Sequence, residues 1–453
     1  MCAKLFSGDI MNELFIKQMQ ELLKDEFNDF AKALMQKQVK ALYLNKTKEN
    51  VDQLIDQFEL KPHHLVKDGY YYDYEKYLLG KHPYHDAGLY YIQEPSAMIV
   101  ASLLDLKEGD KVLDMCSAPG GKAGYVASHL NQTGLVVAND INPLRASILS
   151  GNMERLGLTN TIVTNCEPKK ITQQCKEFFD KVILDAPCSG EGMFRKLEQA
   201  IETWSIDKVK ECASIQKELI DEAYEALKSG GELIYSTCTY NLEENEKIVE
   251  YALNQHPDLE LIPISLQAGM SPGIGYPECC RLYPHKHLGE GQFIALFKKQ
   301  GTPTPKKYKT LKSNVTGEQK KLLQQFYKDN LNIPVPKQVI NSNNHLYAIG
   351  KDFPELKKVK ILRTGLYLGE CKKNRFEPSY SLSHTLTKKD VKRYYDYPSS
   401  SQEIANYLKG ETLPGNQEKG YGILFVDGYA LAFYKESNNT VKNLFPKGLR
   451  KHY

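Results

Sequence analysis

A chain of 453 residues is too long for one ordinary domain, so two to four are expected. With 41% hydrophobic and 25% charged residues it belongs with globular proteins rather than fibrous or disordered ones, and no run of eighteen apolar residues could span a bilayer. The net charge of +3 does not by itself announce a nucleic-acid or membrane partner. Ten cysteines, at positions 2, 116, 166, 175, 188, 212, 238, 279, 280 and 371, contain no Cys-x-x-Cys pair, which argues against a zinc ribbon and leads us to expect no metal. Residues Met1 to Ile10 lack a basic start and a long apolar stretch, so a reducing cytoplasm is the expected location. Met11, which opens a stronger helical pattern, is an alternative start.

Residues 12–37 place Leu14, Phe15, Met19, Leu22, Leu23, Phe27, Phe30 and Leu34 at helical spacing, which predicts an amphipathic helix or a broken pair. Residues 38–84 mix short apolar runs with Pro62, Gly69 and Pro83, as in a small mixed module. After Gly88 the pattern becomes regular: helix around Ser96–Leu104, strand 111–115, helix 121–130, strand 135–139, helix 143–156, then strands 161–164 and 181–185. A helix over 207–228 is expected to stop at Ser229-Gly230-Gly231, with strand 232–237, helix 243–254 and strand 292–298 completing the unit. Such alternation predicts an α/β fold, a parallel sheet with helices on both faces, ending near Lys299.

Residues 300–312 read as a linker. From Gly301 to Lys360 twelve lysines face four acids, a local balance of +8 that can track phosphates or belong to a solvated helix face. A helix over 317–330, short strand-like pieces such as Lys360–Arg363, and a hairpin over 421–434 bending at Gly428 predict a β-rich end.

Three strands run into chemistry-bearing turns, and in an open parallel sheet ligands bind at the carboxyl ends of strands. The first leads from Asp114 to Met115, Cys116, Ser117, Ala118, Pro119, Gly120, Gly121 and Lys122. Here glycines let a ligand approach the backbone and a helix start offers free N–H groups; the spacing is not the dinucleotide fingerprint. Asp140 ends the second strand, where a carboxylate can accept both hydroxyls of a ribose; it also fits a helix cap, since Asn142-Pro143 follows. Asn165 and Glu167 close the third strand and compete for the edge of an adenine.

Asp185-Ala186-Pro187-Cys188-Ser189-Gly190 and Ser236-Thr237-Cys238-Thr239 present a thiol each, behind two further strands. Methylating carbon 5 of a pyrimidine is hard because that carbon is a poor nucleophile. A thiolate added at carbon 6 turns it into an enamine able to attack a sulfonium methyl group. Asp185 is placed to hydrogen-bond ring nitrogen 3, and Cys188 and Cys238 both remain candidates for the nucleophile. The other cysteines read as filler, and His285 and His287 as supports of their turn or contacts to RNA.

The chain resembles the Nol/Nop/Sun family of RNA cytosine-5 methyltransferases, through Gln93-Glu94-Pro95-Ser96-Ala97-Met98, Asp114 to Lys122, Asp185 to Gly190 and Ser236 to Thr239. The segments Asp185–Lys196 and Arg281–Phe293 are similar to its bacterial branch acting on small-subunit ribosomal RNA, the RsmF-like enzymes. Gly365–Glu370, Arg375–Pro378 and Lys442–Arg450 look like that branch's C-terminal regions, the last of them PUA-like.

The resemblance implies a Rossmann-like core binding S-adenosylmethionine, an N-terminal α+β module and a C-terminal PUA-like β-rich domain. The expected division is 1–85, catalytic 86–299, basic linker 300–316, 317–385 and 386–453. It further implies that Cys238 is the nucleophile, that Cys188 assists release, and that residues 116–122, Asp140, Asp185 and the position at or near Glu167 contact the cofactor. The family usually has Asp at that last position. The substrate implied is ribosomal RNA or the small subunit, engaged by a monomer, with Arg195, Lys196, Arg375 and Arg450 as candidate RNA contacts. Transfer RNA with the same chemistry, or a catalytically silent RNA-binding assembly factor, are the alternatives.

Overall fold

In the computed structural model, which describes residues 12–196, 198–304, 306–416 and 418–451, a mixed ten-stranded sheet carries the catalytic half. Its parallel centre consists of β5 (Lys111–Asp114), β6 (Leu135–Asn139), β7 (Thr161–Asn165), β8 (Phe179–Asp185) and β9 (Leu227–Thr237). Apart from the longer β9 these strands are short, and their middle residues are buried apolar side chains because helices cover both faces and leave no side to water. The covering helices include α3 (Pro95–Ser102), α4 (Gly121–His129), α5 (Pro143–Arg155), α6 (Ile206–Ala226) and α7 (Glu246–Gln255). Strand β5 pairs with β6 on one side and β8 on the other, so the chain reverses its direction of travel across the sheet beside β5. A ligand crevice opens at such a switch point, outside the carboxyl ends of the strands.

The sheet extends at both edges by antiparallel pairing. On the β9 side lie β13 (Gln292–Lys299), then β12 (Cys280–Leu282) and β11 (Met270–Pro272), with β10 (Leu259–Ile262) also on β13. On the other side β16 (Lys360–Thr364) pairs with β7 and gives that edge a hydrogen-bonded neighbour. The strand-like segment expected in a β-rich end thus belongs to the catalytic sheet. Its Arg363 is buried and donates to the Leu158 carbonyl and the Ser381 hydroxyl. The segment expected to be a linker lies against the same half: the Tyr308 hydroxyl donates to the carbonyls of Lys176 and Glu177, and its ring meets Phe178 edge-on at 4.7 Å. A second difference concerns α6, which ends at Ala226. Ser229-Gly230-Gly231, expected as its stop, instead forms an irregular stretch inside β9, where the pairing jumps from Leu227 to Glu232.

The N-terminal helical pattern is a broken pair, α1 (Glu13–Leu23) and α2 (Phe27–Leu34), joined by a single tight turn at Lys24–Glu26. Asn12 caps α1 by accepting from the Leu14 amide. The buried stripe of the pair, including Phe15, Met19 and Phe30, packs on Phe194, Trp204 and Tyr240 beside the catalytic loops. Met1, Cys2 and Met11 lie outside the described residues.

Strands β1 (Lys40–Leu44), β2 (Lys61–Pro62), β3 (Gly69–Tyr72) and β4 (Tyr90–Gln93) form a four-stranded sheet in the order β2-β3-β1-β4. The fourth strand lies beyond residue 85 and leads directly into α3. Farther along, α8 (Gly317–Asn330) starts with a Thr316/Gln319 capping box. It packs on a sheet of β14 (Val339–Ser342), β15 (His345–Ala348), β17 (Leu366–Lys372) and β18 (Arg375–Pro378).

A last, five-stranded sheet comprises β19 (Tyr394–Tyr397), β20 (Leu413–Pro414), β21 (Gly420–Val426), β22 (Tyr429–Ser437) and β23 (Thr440–Asn443), with α9 (Gln402–Lys409). Its β21–β22 hairpin turns at Gly428, where φ is +86°. One apolar cluster joins this end to the N-terminal sheet, combining Leu42, Leu44 and Tyr90 with Tyr407, Leu424 and Leu431. The Tyr84 hydroxyl donates to Asp427 across that junction at 2.9 Å. Among the described residues no helix is long and apolar enough to cross a membrane.

Candidate active site

At the carboxyl edge of the parallel strands lies a cavity of about 250 Å³. The turn after β5 supplies one wall, with Cys116, Ser117, Ala118, Pro119, Gly121 and Lys122 lining it. Gly120 sits behind this wall at φ +109°, a conformation L side chains rarely adopt, and a Cβ there would stand 2.8 Å from Leu149 and Met153 of α5. The turn can therefore press against α5 while the start of α4 faces the cavity. Asp114 lines the floor, fully buried, and neither carboxylate oxygen has a hydrogen-bond partner among the described residues; the Ser117 hydroxyl is likewise unpartnered. Burial, with Asp185 and Asp140 adding repulsion, pushes the Asp114 carboxyl up to about 7. Asp114 and Asp185 line this crevice, with Asp140 just outside it, and both Asp114 oxygens are unpaired, which suits a ligand that brings positive charge and donors.

Asp185 closes the opposite wall as an acceptor for three side chains: Lys122 Nζ at 2.7 Å, Ser236 Oγ at 2.6 Å and Gln292 Nε2 at 3.1 Å. Burial pulls the Lys122 ammonium down, but Asp185, then Asp114 and Cys238, more than offset that and hold it above its ordinary value. Cys238 lines the cavity beside this pair. Cys188 does not line it; its Sγ stands 3.3 Å behind that of Cys238, and both thiols are free. The bond to Cys238, together with burial, pushes the Cys188 thiol well above its ordinary value.

Two buried carboxylates staple the cysteine loops together. Glu191, just past Cys188, accepts from the Tyr240 and Asn241 amides, the Trp204 indole N–H and Gln18. Glu244, just past Cys238, accepts from the Ser189 amide at 2.9 Å and from Gln216 and Asn241. Gly192 adds a third tie: its amide donates to the Cys238 carbonyl at 2.8 Å, and a Cβ there would lie 3.0 Å from that oxygen. Behind them the Arg281–Glu246 ion pair is buried, with the Arg281 guanidinium also donating to the Tyr240 carbonyl.

The remaining expected positions fall as follows. Asp140 is buried at the end of β6 just outside the cavity lining; it accepts from the Asn142 amide at 2.9 Å and lies 3.4 Å from Arg145, which reaches back to the Ala118 carbonyl. Asn142, not Asp140, caps α5. Asn165 donates to the carbonyls of Asp140 and Ile141, whereas Glu167 is exposed and away from the cavity lining.

Arg195 is not a free RNA contact: its guanidinium pairs with Glu290 at 2.7 Å and donates to the carbonyls of Ala33 and Gly289, a buried tie between α2 and the loop before β13. Lys196 is exposed and lines the cavity. His285 lies beside Phe30 and Glu26, and His287 is buried near His63 and His64; both support packing. Sequence reasoning gave no role to Gln93, Glu94 or Gln292, which also line the cavity. Gln292 was findable from the β9–β13 pairing, but an antiparallel neighbour 55 residues downstream leaves no mark in local periodicity.

Comparisons with known proteins fit this geometry. Residues 101–298 match the family model described as 16S rRNA methyltransferase RsmB/F, and residues 11–95 the N-terminal domain of 16S rRNA methyltransferase RsmF. Residues 325–386 match the first C-terminal domain of the RsmF rRNA methyltransferase, and residues 394–451 the RsmF PUA domain. Ribosomal RNA small subunit methyltransferase F of Erwinia tasmaniensis is 30% identical over 96% of each chain, and that of Vibrio vulnificus 29% over 98% of each.

Among solved structures, a methyltransferase homolog protein from Pyrococcus horikoshii aligns with a TM-score of 0.57 and 32% identity, covering 63% of this chain and 94% of that one. NSun6 from the same organism, solved with SFG, shares the fold at a TM-score of 0.59 and 23% identity, covering 65% and 100%. Four consecutive family matches and full-length likeness agree with a Rossmann-like core carrying the same crevice: the chain belongs to the RsmF branch of the RsmB/F family of 16S rRNA methyltransferases.

Proposed function

We propose that this S-adenosylmethionine-dependent methyltransferase modifies carbon 5 of a cytosine in small-subunit ribosomal RNA through a covalent bond to Cys238. The observation that carries this reading is the placement of the Cys238 sulfur on the cavity wall, beside the Lys122–Asp185 pair and with a second thiol 3.3 Å behind it. The residues present fit the cofactor: the unpaired Asp114 carboxylate, the Ser117 hydroxyl and the start of α4 would hold it, with Asp140 at the neighbouring strand end for its ribose. When bound, it supplies an electrophilic methyl group. We place Glu167 outside this set, since it is exposed.

A base paired in a helix is out of reach, so the target nucleotide must be unpaired or flipped out to enter. In our reading the Cys238 sulfur adds to carbon 6, with the Lys122 ammonium as counter-ion for the charge on sulfur. The proton displaced from Cys238 passes to N3 of the ring, where Asp185, a triple acceptor held in one orientation, accepts a hydrogen bond from the N3–H, and it returns when Cys238 leaves. Gln292 turns its NH2 toward Asp185, which leaves its Oε1 for the exocyclic amino group of cytosine.

Addition at carbon 6 makes carbon 5 nucleophilic, and it takes the methyl group. Bonding Cys238 to carbon 6 also removes the partner that most strongly kept Cys188 protonated, so Cys188 passes its own proton to water and, as a thiolate, takes the carbon 5 proton. Loss of that proton breaks the sulfur–carbon bond and restores Cys238. We assign the segments before residue 86 and after residue 299 to positioning RNA by backbone and shape, in a cytoplasmic enzyme.

Nucleoside analysis of small-subunit RNA incubated with the protein and a methyl-labelled cofactor tests the proposal. Label in 5-methylcytidine is expected. Label confined to another base, or to another atom of cytosine, refutes it.

A further inference from the structure

All the cysteines among the described residues are free, and one pair of sulfurs is in contact, Cys188 with Cys238 at 3.3 Å. Methyl transfer uses these two sulfurs one after the other and never joins them. The vicinal Cys279 and Cys280 differ: both are buried, and their side chains belong to two different core clusters. Cys188 and Cys238 are only half-buried, and Cys238 opens on the 250 Å³ cavity, so a small solute entering there meets its sulfur. Ties beside the sulfurs keep their loops from parting. The Ser189 and Thr239 hydroxyls bond each other at 2.9 Å, Glu244 accepts from the Ser189 amide, and the Gly192 amide donates to the Cys238 carbonyl. Bonded sulfurs stand about 2.0 Å apart, so this pair is held roughly 1.3 Å short of a disulfide.

We propose that Cys238 and Cys188 form a reversible oxidation site, at which a hydroperoxide joins the two sulfurs in a disulfide that a dithiol reopens. The resulting loss of methyl transfer rests on Cys238 being the nucleophile of the proposed function; the bond itself rests on the sulfur contact alone. In the first step the Cys238 sulfur attacks the hydroperoxide. A sulfur–oxygen bond forms, the oxygen–oxygen bond breaks, and the departing oxygen takes the thiol's proton to leave as an alcohol, or as water from hydrogen peroxide. Cys238 is then a sulfenic acid, oxidised by two electrons. In the second step the Cys188 sulfur attacks it: the disulfide forms, the sulfur–oxygen bond breaks, and hydroxide leaves with the Cys188 proton as water. The hydroperoxide has thus accepted two electrons and both thiol protons. A dithiol returns them and becomes a disulfide itself. A sulfenic acid without a thiol beside it goes on to the sulfinic acid, which thiols do not reduce, so the placement of Cys188 makes the oxidation of Cys238 reversible.

The test treats the full chain with hydrogen peroxide, blocks the remaining thiols and digests it without reductant. Mass analysis should find the peptide carrying Cys188 joined to the one carrying Cys238, and dithiothreitol should separate them. Protein that is half cross-linked should keep about half its methyl transfer, and dithiothreitol should restore the rest. In Cys188→Ala, read by mass alone, Cys238 should advance to the sulfinic acid and stay there after dithiothreitol. Cys212→Ala should cross-link as the parent does.

Peroxide that oxidises other residues while leaving Cys188 and Cys238 unjoined would overturn the proposal. So would a loss of methyl transfer in the parent that dithiothreitol does not restore. So would full recovery of the Cys238 thiol by dithiothreitol in Cys188→Ala, which would mean that Cys188 protects nothing. The two readings fail separately. A parent that cross-links but labels a base other than cytosine sinks the proposed function and leaves this site standing; one that labels 5-methylcytidine and never cross-links does the reverse.

Discussion

The loops that follow β8 and β9 start from paired residues, Asp185 and Ser236, of neighbouring parallel strands, and each carries a cysteine a few residues on. The sulfurs meet at 3.3 Å, yet only Cys238 opens on the cavity. Cys188 is held behind it as a thiol, by the Cys238 contact and by burial. Two chemically identical groups thus receive different tasks from position alone, and the difference is maintained by the Glu191 and Glu244 staples that fix one loop against the other.

The most severe way to probe that asymmetry is to remove each sulfur in turn. Cys238→Ala is expected to lower methyl transfer by at least about 10⁴-fold, because Cys188 does not line the cavity and the other lining cysteine, Cys116, is kept protonated by burial and by Asp114. A smaller effect should come from Asp114, which tests the cofactor side against the thiol side. Its carboxyl is raised to about 7 in the folded protein and lies near 3.8 when exposed, so folding binds a proton in that interval. Its stabilising contribution is fully present below about pH 4 and is lost as pH rises toward 7, by up to about 4 kcal/mol in the unliganded protein. Denaturant titration of the parent and of Asp114→Asn across that range should show the parent alone losing stability.

Glu191→Ala leaves the Tyr240, Asn241 and Trp204 donors unmet and should cost about 3 kcal/mol of folding stability, read as a fall in Tm. Cys212→Ala, a half-buried thiol outside both loops, should cost less than that and leave methyl transfer unchanged. The finest probe is Gln292→Ala. Losing one hydrogen bond to cytosine and one to Asp185 should reduce kcat/KM about tenfold, about 1.4 kcal/mol, while methyl transfer persists. An unchanged kcat/KM would remove Gln292 from the reading.

What could be read in advance follows the range of the underlying forces. The parallel strands and their turns were legible because Lys111–Asp114 and Lys181–Asp185 are apolar runs ending in acids, and because strand, glycine turn and helix start are adjacent in sequence. The crevice residues Asp114, Cys116, Ser117, Ala118, Pro119, Gly121, Lys122, Asp185 and Cys238 lie on turns marked by that local grammar. What stayed hidden depends on pairing between distant segments. β16 carries no signal that it joins β7 rather than a C-terminal sheet, since both environments reward the same short apolar strand. Arg195 looked like an RNA contact because its partners, Glu290 and the Ala33 and Gly289 carbonyls, are at least 94 residues away. The Gly230-Gly231 stop signal was real as a break from helix but fell within a bulge of the following strand.

The most direct test of the division between the two cysteines is a denaturing gel of the Cys188→Ala variant mixed with small-subunit RNA and S-adenosylmethionine. The account predicts a slowly migrating protein band that carries RNA and vanishes when Cys238 is also replaced. Absence of that band, together with methyl transfer surviving in Cys238→Ala, would contradict it and hand the nucleophile's role to the other sulfur.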